Sequence, residues 1–412
     1  MTLAGYRYAH RLRENHKKTV VMISSEVARE RATALVPHLA ERAARCEMIR
    51  RCPQETVDEL YEAGLMQMMQ PLRYGGSELN LDVVADVAMT LAAGCASTSW
   101  VWMNLATHSW NIGQFSEEAQ DDIWGVDPRA LAATGLAFPC GRAKRVSGGF
   151  RLSGRWPFGS GVDAASWLLV GAQIEGTDAP LERWMFLVPK DDFRSLDNWH
   201  SFGLAGTGSH DVEIRDVFVP EHRSVRPEIL AAGRECPGAR INRSPVYRLP
   251  AYSAFGFALS AVPLGAARAA LDQFTAGART RASTFSASRI AEMVPVQLRV
   301  AEAAASISFA ETAYWTDLRE LVALTESGEA VGDDAKLRWK RDLAFAVTLS
   351  KRAVELLLSA SGGAALSTHN SLQRNFRDVY AASSHIALTW DVQAAMYGRH
   401  ALGIAMEPGA LI

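Results

Sequence analysis

The chain has 412 residues, 43 basic against 45 acidic side chains, and 48% hydrophobic residues. That length exceeds one hydrophobic core, so two or three packed units are expected, and basic residues scattered along the chain leave no electrostatic footprint for nucleic acid. No run of eighteen apolar residues marks a membrane span, and five scattered cysteines without C-x-x-C spacing support neither a disulfide framework nor a zinc site.

The expectation is therefore a soluble, cytoplasmic protein without a metal or a membrane partner. Residues 1–23, with a short basic cluster from His10 to Lys18, read as a flexible leader, and Met22 is a plausible second start.

From residue 24 to 130 the pattern is helical. Val27, Ala34, Leu35 and Leu39 recur at helix spacing, as do Val57, Leu60, Tyr61 and Leu65. Pro71-Leu72-Arg73-Tyr74-Gly75-Gly76-Ser77 is a loop, and Asn80 or Asp82 caps the helix that follows.

From 131 to 235 the grammar is β. Short runs at Leu131–Ala137, Lys144–Val146, Phe150–Ser153, Trp167–Glu175, Trp184–Val188 and Val212–Val219 suggest a small sandwich or barrel, with Ser147-Gly148-Gly149 as a hairpin turn. From 236 to 412 the chain is alanine-rich. Segments at Tyr252–Arg281, Ile290–Ser327, Asp333–Ser361 and Asn370–Gly403 read as an antiparallel four-helix bundle.

Within the β region, Arg155-Trp156-Pro157-Phe158-Gly159-Ser160-Gly161 reads as a strand breaking into a glycine-flanked corner. Glycines beside Ser160 permit positive φ and close approach to a flat ligand, and Trp156 and Phe158 supply an aromatic wall. The same residues also describe a β-bulge with an incidental serine. Gly206-Thr207-Gly208-Ser209 reads as a surface turn, because no helix follows it as a phosphate loop requires.

Two histidines lie among apolar neighbours. Trp100 and His108, eight residues apart, lean to one side of a helix at roughly 12 Å separation. His385 sits on the last long helix. Each histidine reads as a satisfied core residue, and His108 alternatively as a group holding a phenol or phenolate near neutral pH. Arg279 and Arg281 close the first bundle helix as dipole-complementing surface residues or as an anion clamp.

The order helical domain, β-sandwich, four-helix bundle resembles the acyl-CoA dehydrogenase fold, an α+β architecture. The resemblance rests on Pro71 to Gly76, Thr134-Gly135, Trp156 to Ser160, Gly208-Ser209, Arg279, Ser361-Gly362-Gly363 and Arg377-Asp378. Dehydrogenases of this type place a glutamate base shortly after the Arg-Asp pair. No carboxylate occurs here between Asp378 and Asp391. The pattern is instead similar to the oxygenase components of two-component flavin-dependent aromatic monooxygenases, the group of the p-hydroxyphenylacetate and steroid phenol hydroxylases.

That resemblance implies a chemistry and a site. Reduced flavin, FADH2 or FMNH2, arrives from a separate NAD(P)H-dependent flavin reductase and reacts with O2 to form a C4a-hydroperoxyflavin. This species then hydroxylates a small phenolic or indolic aromatic. The implied catalytic residues are His108, orienting the substrate hydroxyl; Ser160, bonding near flavin N5; and His385, lining the oxygen-reacting side. The implied cofactor-binding residues are Trp100, Thr134, Gly135, Leu136, Phe158, Gly159, Ser160, Arg279, Gly362 and Gly363, with Arg279 near the flavin phosphate and a homotetramer as the assembly.

Gly159 stands where a second small polar residue is expected, and Pro157 stiffens the approach; both leave FMN against FAD open. An acyl-CoA dehydrogenase or oxidase with bound FAD, an N- or S-oxygenase on the same fold, and a scaffold without cofactor remain alternatives.

Overall fold

The structure, a computed structural model, describes residues 22–176, 182–282, 289–407 and 409–411. Of the expected leader, residues 1–23, residues 1–21 lie outside them. Helices α1 (Ser25–Ile49), α2 (Gln54–Glu62), α3 (Leu81–Gly94), α4 (Ala96–Gly113) and α5 (Glu117–Gln120) come first. Ser24 Oγ caps α1 by accepting from Val27 N, and Asn80, not Asp82, caps α3 by accepting from Leu81 N. All eighteen residues of α4 are buried, so this helix runs through the core with no solvent face.

The middle region, expected as a small sandwich or barrel, is among the described residues an eight-stranded mixed sheet: β1 (Ala132–Gly135), β2 (Gly141–Val146), β3 (Gly149–Gly159), β4 (Trp167–Ile174), β5 (Arg183–Pro189), β6 (Arg194–Leu196), β7 (His210–Pro220) and β8 (Ser224–Val225). Its path is β6-β7-β3-β2-β4-β5-β8, with β1 pairing parallel to β4. The β2–β3 hairpin turns at Gly148, whose φ of 78° is the glycine-favoured region the turn requires. The two short strands β6 and β8 carry too few residues to show an alternation in sequence.

Trp156 belongs to the core and forms no ligand wall. Its indole N–H donates to Gly171 O at 2.7 Å, and a Cβ added at Gly135, Gly141 or Gly154 would lie 2.4–2.7 Å from Trp156 side-chain atoms. Three glycines thus make room for one buried indole. The Gly206–Ser209 segment is also buried, not a surface turn: a Cβ at Gly206 would lie 2.4 Å from Cys46 Sγ of α1.

The short helix α6 (Pro227–Ala232) leads into α7 (Ala251–Thr280), α8 (Val294–Ser327) and α9 (Asp333–Ser361). α7 carries a window apolar enough to cross a membrane, mean hydropathy 1.4, yet 89% of it is buried inside the protein. The last expected helix is two helices, α10 (Ser371–Ser383) and α11 (Trp390–Ala401). Ser383 and Ser384 hydroxyls both donate to Tyr380 O, competing with the backbone ladder where α10 ends. His385 therefore lies in the break and not on a helix. One continuous core joins α1, the sheet and the bundle.

Candidate active site

The buried helix α4 brings the predicted residues together in two groups, about two turns apart. At its N-terminal end Trp100 Nε1 donates to Ser160 Oγ at 3.2 Å, and the Trp100 ring meets the His385 ring edge-on at 5.9 Å. Ser160 follows β3 at a corner that the backbone reaches through strain. The positive φ falls on Phe158, at 65°, and not on Gly159; Gly161 on the far side has φ 73°. Gly159 is small because a Cβ there would lie 3.0 Å from His210 O. Phe158 is 68% exposed and meets Trp199 edge-on.

At the other end of α4, His108 Nδ1 lies 2.8 Å from Ala132 O of β1. A carbonyl only accepts, so Nδ1 carries the proton. Burial pushes the His108 pKa down to about 4, against the opposing pull of the Ala132 bond, so the ring is neutral and Nε2 is a bare acceptor. The Thr134 hydroxyl, on the same face of β1 two residues on, occupies Nε2 at 3.3 Å. Phe255 of α7 stacks over the imidazole at 5.7 Å with a 24° interplanar angle, making one flat side.

His385 has the opposite tautomer. Its Nδ1 accepts from Ala387 N at 3.2 Å, and burial pushes its pKa down to about 4, leaving a neutral ring with the proton on Nε2.

The remaining predicted residues sit elsewhere. Gly135 faces Trp156, on the sheet side opposite Thr134, and Leu136 is partly buried beside the core. Arg279 is exposed in the last turn of α7. Gly362, with φ 66° and ψ −166°, and Gly363 form an open corner after α9 where an added Cβ meets nothing. Arg281 donates to Ser361 O at 2.9 Å, which brings the end of α7 beside that corner. No hydrogen bond or ring contact joins that corner to the Trp100 group among the described residues.

Sequence reasoning missed Thr207, Ser209 and Phe255. Ser209 Oγ lies 2.8 Å from Ser160 Oγ and 2.7 Å from Thr207 Oγ1. The available signal was two hydroxyl residues alternating with glycines just before a strand.

These residues fit a flavin. Ser160 has a lone pair left beyond its protein partners, the corner is walled by Trp100 and His385, and the Gly362 corner leaves backbone open to a ligand.

Residues 21–126 match the family description "Acyl-CoA dehydrogenase, N-terminal domain" and residues 257–390 match "Acyl-CoA dehydrogenase, C-terminal domain". The chain is 35% identical over 380 residues to a pigment production hydroxylase of Rhodococcus sp. (strain ATCC 21145), covering 92% of this chain and 97% of that protein. It is 34% identical over 374 residues to the oxygenase component of an FADH2-dependent resorcinol hydroxylase of Rhizobium sp. (strain MTP-10005), covering 88% and 90%. The solved structure of XiaF from Streptomyces sp. in complex with FADH2 and glycerol superposes with a TM-score of 0.86 at 31% identity, covering 94% and 97%. The helix–sheet–bundle order, the Ser160 corner tied to α4 and these likenesses converge: the chain belongs to the flavin-dependent monooxygenase oxygenase components built on the acyl-CoA dehydrogenase fold.

Proposed function

We propose that this oxygenase hydroxylates a small phenolic or indolic molecule, using reduced flavin delivered by a separate NAD(P)H-dependent reductase. The observation that carries the substrate class is His108: a neutral imidazole, held by Ala132 O, with its acceptor nitrogen turned to a hydroxyl. When bound, the reduced flavin supplies the electrons that activate dioxygen.

The chain's own residues do the rest. Ser160 holds the flavin edge near N5 through its free lone pair, and Trp100 packs against the ring. Thr134, with Leu136, Phe158 and Gly159, borders it. A substrate O–H replaces the Thr134 hydroxyl at His108 Nε2, which orients the aromatic ring and draws the phenolic proton, raising electron density at the carbon to be oxygenated. His385 presents a proton on Nε2 beside Trp100 without adding charge. Arg279, with the Gly362–Gly363 corner, receives the flavin phosphate.

The dehydrogenase alternative calls for a carboxylate base, which such enzymes place in this stretch or on a different helix; its absence from this stretch favours the oxygenase reading. Here α10 ends at Ser383, and the break to Trp390 carries no carboxylate.

A homotetramer completes the proposal. The outer face of α8 shows a charge-free stripe at helical spacing: Val294, Leu298, Ala301, Ala305, Phe309 and Thr312 are all exposed, Phe309 at 72%. Light scattering tests this directly; Phe309→Glu is expected to lower the mass of the particle.

The function itself is tested with resorcinol as probe, chemically supplied reduced FAD or FMN, and isotopically labelled dioxygen. Label in a ring hydroxyl supports the reading. Label in a nitrogen or sulfur oxide of an alternative substrate, with resorcinol untouched, replaces it.

A further inference from the structure

Behind the Ser160 corner runs a chain of three hydroxyls and one indole N–H whose direction is set by its ends. Leu204 O only accepts, so Thr207 Oγ1, 2.8 Å away, donates to it. That commits the single Thr207 proton. Ser209 Oγ, 2.7 Å from Thr207 Oγ1, must then be the donor in that pair. With the Ser209 proton committed, Ser160 is the donor across the 2.8 Å contact to Ser209. Trp100 Nε1, a donor only, takes one Ser160 lone pair at 3.2 Å. One lone pair is what Ser160 has left to offer.

The chain is anchored and dry. Leu204 N donates to the buried Asp378 Oδ1 at 2.6 Å, and Trp199 Nε1 donates to Leu204 O at 3.1 Å. Thr207 is 1% and Ser209 4% exposed, so water does not compete for their protons.

We propose that Thr207 and Ser209 are positioning residues that fix the direction of the Ser160 hydroxyl, so that the corner offers a flavin only an acceptor and thereby prefers the reduced over the oxidised ring. Reduced flavin carries a hydrogen on N5, which the free Ser160 lone pair accepts. Oxidised flavin has a bare lone pair on N5 and meets another lone pair. This inference rests on the reading that places flavin N5 at Ser160, and it adds what decides the redox preference.

The test is a pair of titrations on the full-length enzyme: oxidised FAD in air and FADH2 under anaerobic conditions, giving the ratio of the two dissociation constants. In Ser209→Ala the Ser160 proton loses its inward partner and turns to the ligand. In Thr207→Val the Ser209 proton turns to Ser160 with the same result. Both are expected to lower the oxidised-to-reduced ratio of dissociation constants about tenfold. For a two-electron couple that lowers the bound-flavin potential by about 30 mV.

Thr207→Ser keeps the hydroxyl and the wild-type ratio, and in a Ser160→Ala background both effects vanish. Should Ser209→Ala not fold, the Thr207→Val and Thr207→Ser pair carries the test. An unchanged ratio in Ser209→Ala and Thr207→Val, with Ser160→Ala shifting it, overturns the inference alone. If Ser160→Ala moves neither constant, the serine does not meet the flavin, and the underlying reading fails with it.

Discussion

Trp100 and Ser160, sixty residues apart in sequence, are joined by a 3.2 Å hydrogen bond from indole N–H to hydroxyl, which fastens the strained β3 corner to the buried helix α4. The bond does more than hold a side chain: it fills one of the two Ser160 lone pairs. Trp100→Phe keeps a ring against His385 and removes the N–H. Reduced-flavin affinity is expected to weaken about three- to tenfold as the Ser160 corner loses its tie to α4; anaerobic fluorescence titration measures it.

On the proposed reading, substrate choice turns on His108. His108→Asn retains a donor for Ala132 O but removes the acceptor nitrogen that faces Thr134. Hydroxylation of a phenol is expected to fall about a hundredfold, with flavin dissociation constants unchanged. Product yield per reduced flavin and flavin titration, done side by side, separate these effects.

Stability should depend on pH through buried groups that oppose one another. The pKa of His108 is about 4 in the folded protein against an ordinary 6.5, so between those values the unfolded chain takes up a proton the folded one refuses. Its stabilising contribution is lost as pH falls from about 6.5 toward 4, and that of His385 moves the same way. Asp378 acts oppositely. Burial pushes it up to about 7 from an ordinary 3.8 despite the Leu204 N–H, so its contribution is lost progressively as pH rises from about 3.8 through 7. The two windows overlap, and the two histidines outweigh the one aspartate, so the melting temperature is expected to rise from about pH 5 and level off near pH 7. Asp378→Asn should steepen that rise and His108→Gln should flatten it, in thermal unfolding at about pH 5, 6.5 and 8.

Gly135 is a packing residue. A Cβ there would lie 2.7 Å from Trp156 Cβ. Gly135→Ala is expected to destabilise the fold by about 1–3 kcal/mol through overpacking, with the ratio of oxidised to reduced flavin affinity unchanged. Denaturant unfolding and the two titrations check both halves.

Much of this was legible in the sequence because local patterns carry it. Helical periodicity, the Ser147-Gly148-Gly149 turn and the alternation along β3 and β7 reflect which face each residue buries, and burial leaves a periodic trace. The turn at Ser160 and the helix carrying Trp100 and His108 were legible because local spacing sets both. The site was not legible where partners come from far along the chain. Thr207 and Ser209 look like a polar surface turn until α1 covers them, and Trp156 looks like a ligand wall until three glycines are seen to enclose it. The break at His385 was hidden for another reason: two serines in a helix-like run end it through side-chain bonds that periodicity does not register.

The most direct measurement mixes the enzyme, loaded anaerobically with reduced flavin, with labelled dioxygen and a phenol, and counts labelled hydroxyl groups against peroxide released. The account predicts that wild type sends most of its reducing equivalents into ring hydroxylation, that His108→Asn diverts them to peroxide, and that Ser160→Ala does so while also weakening flavin binding. Peroxide alone from the wild-type enzyme with every phenol and indole offered, together with reduction of bound FAD by an acyl-CoA, would contradict it.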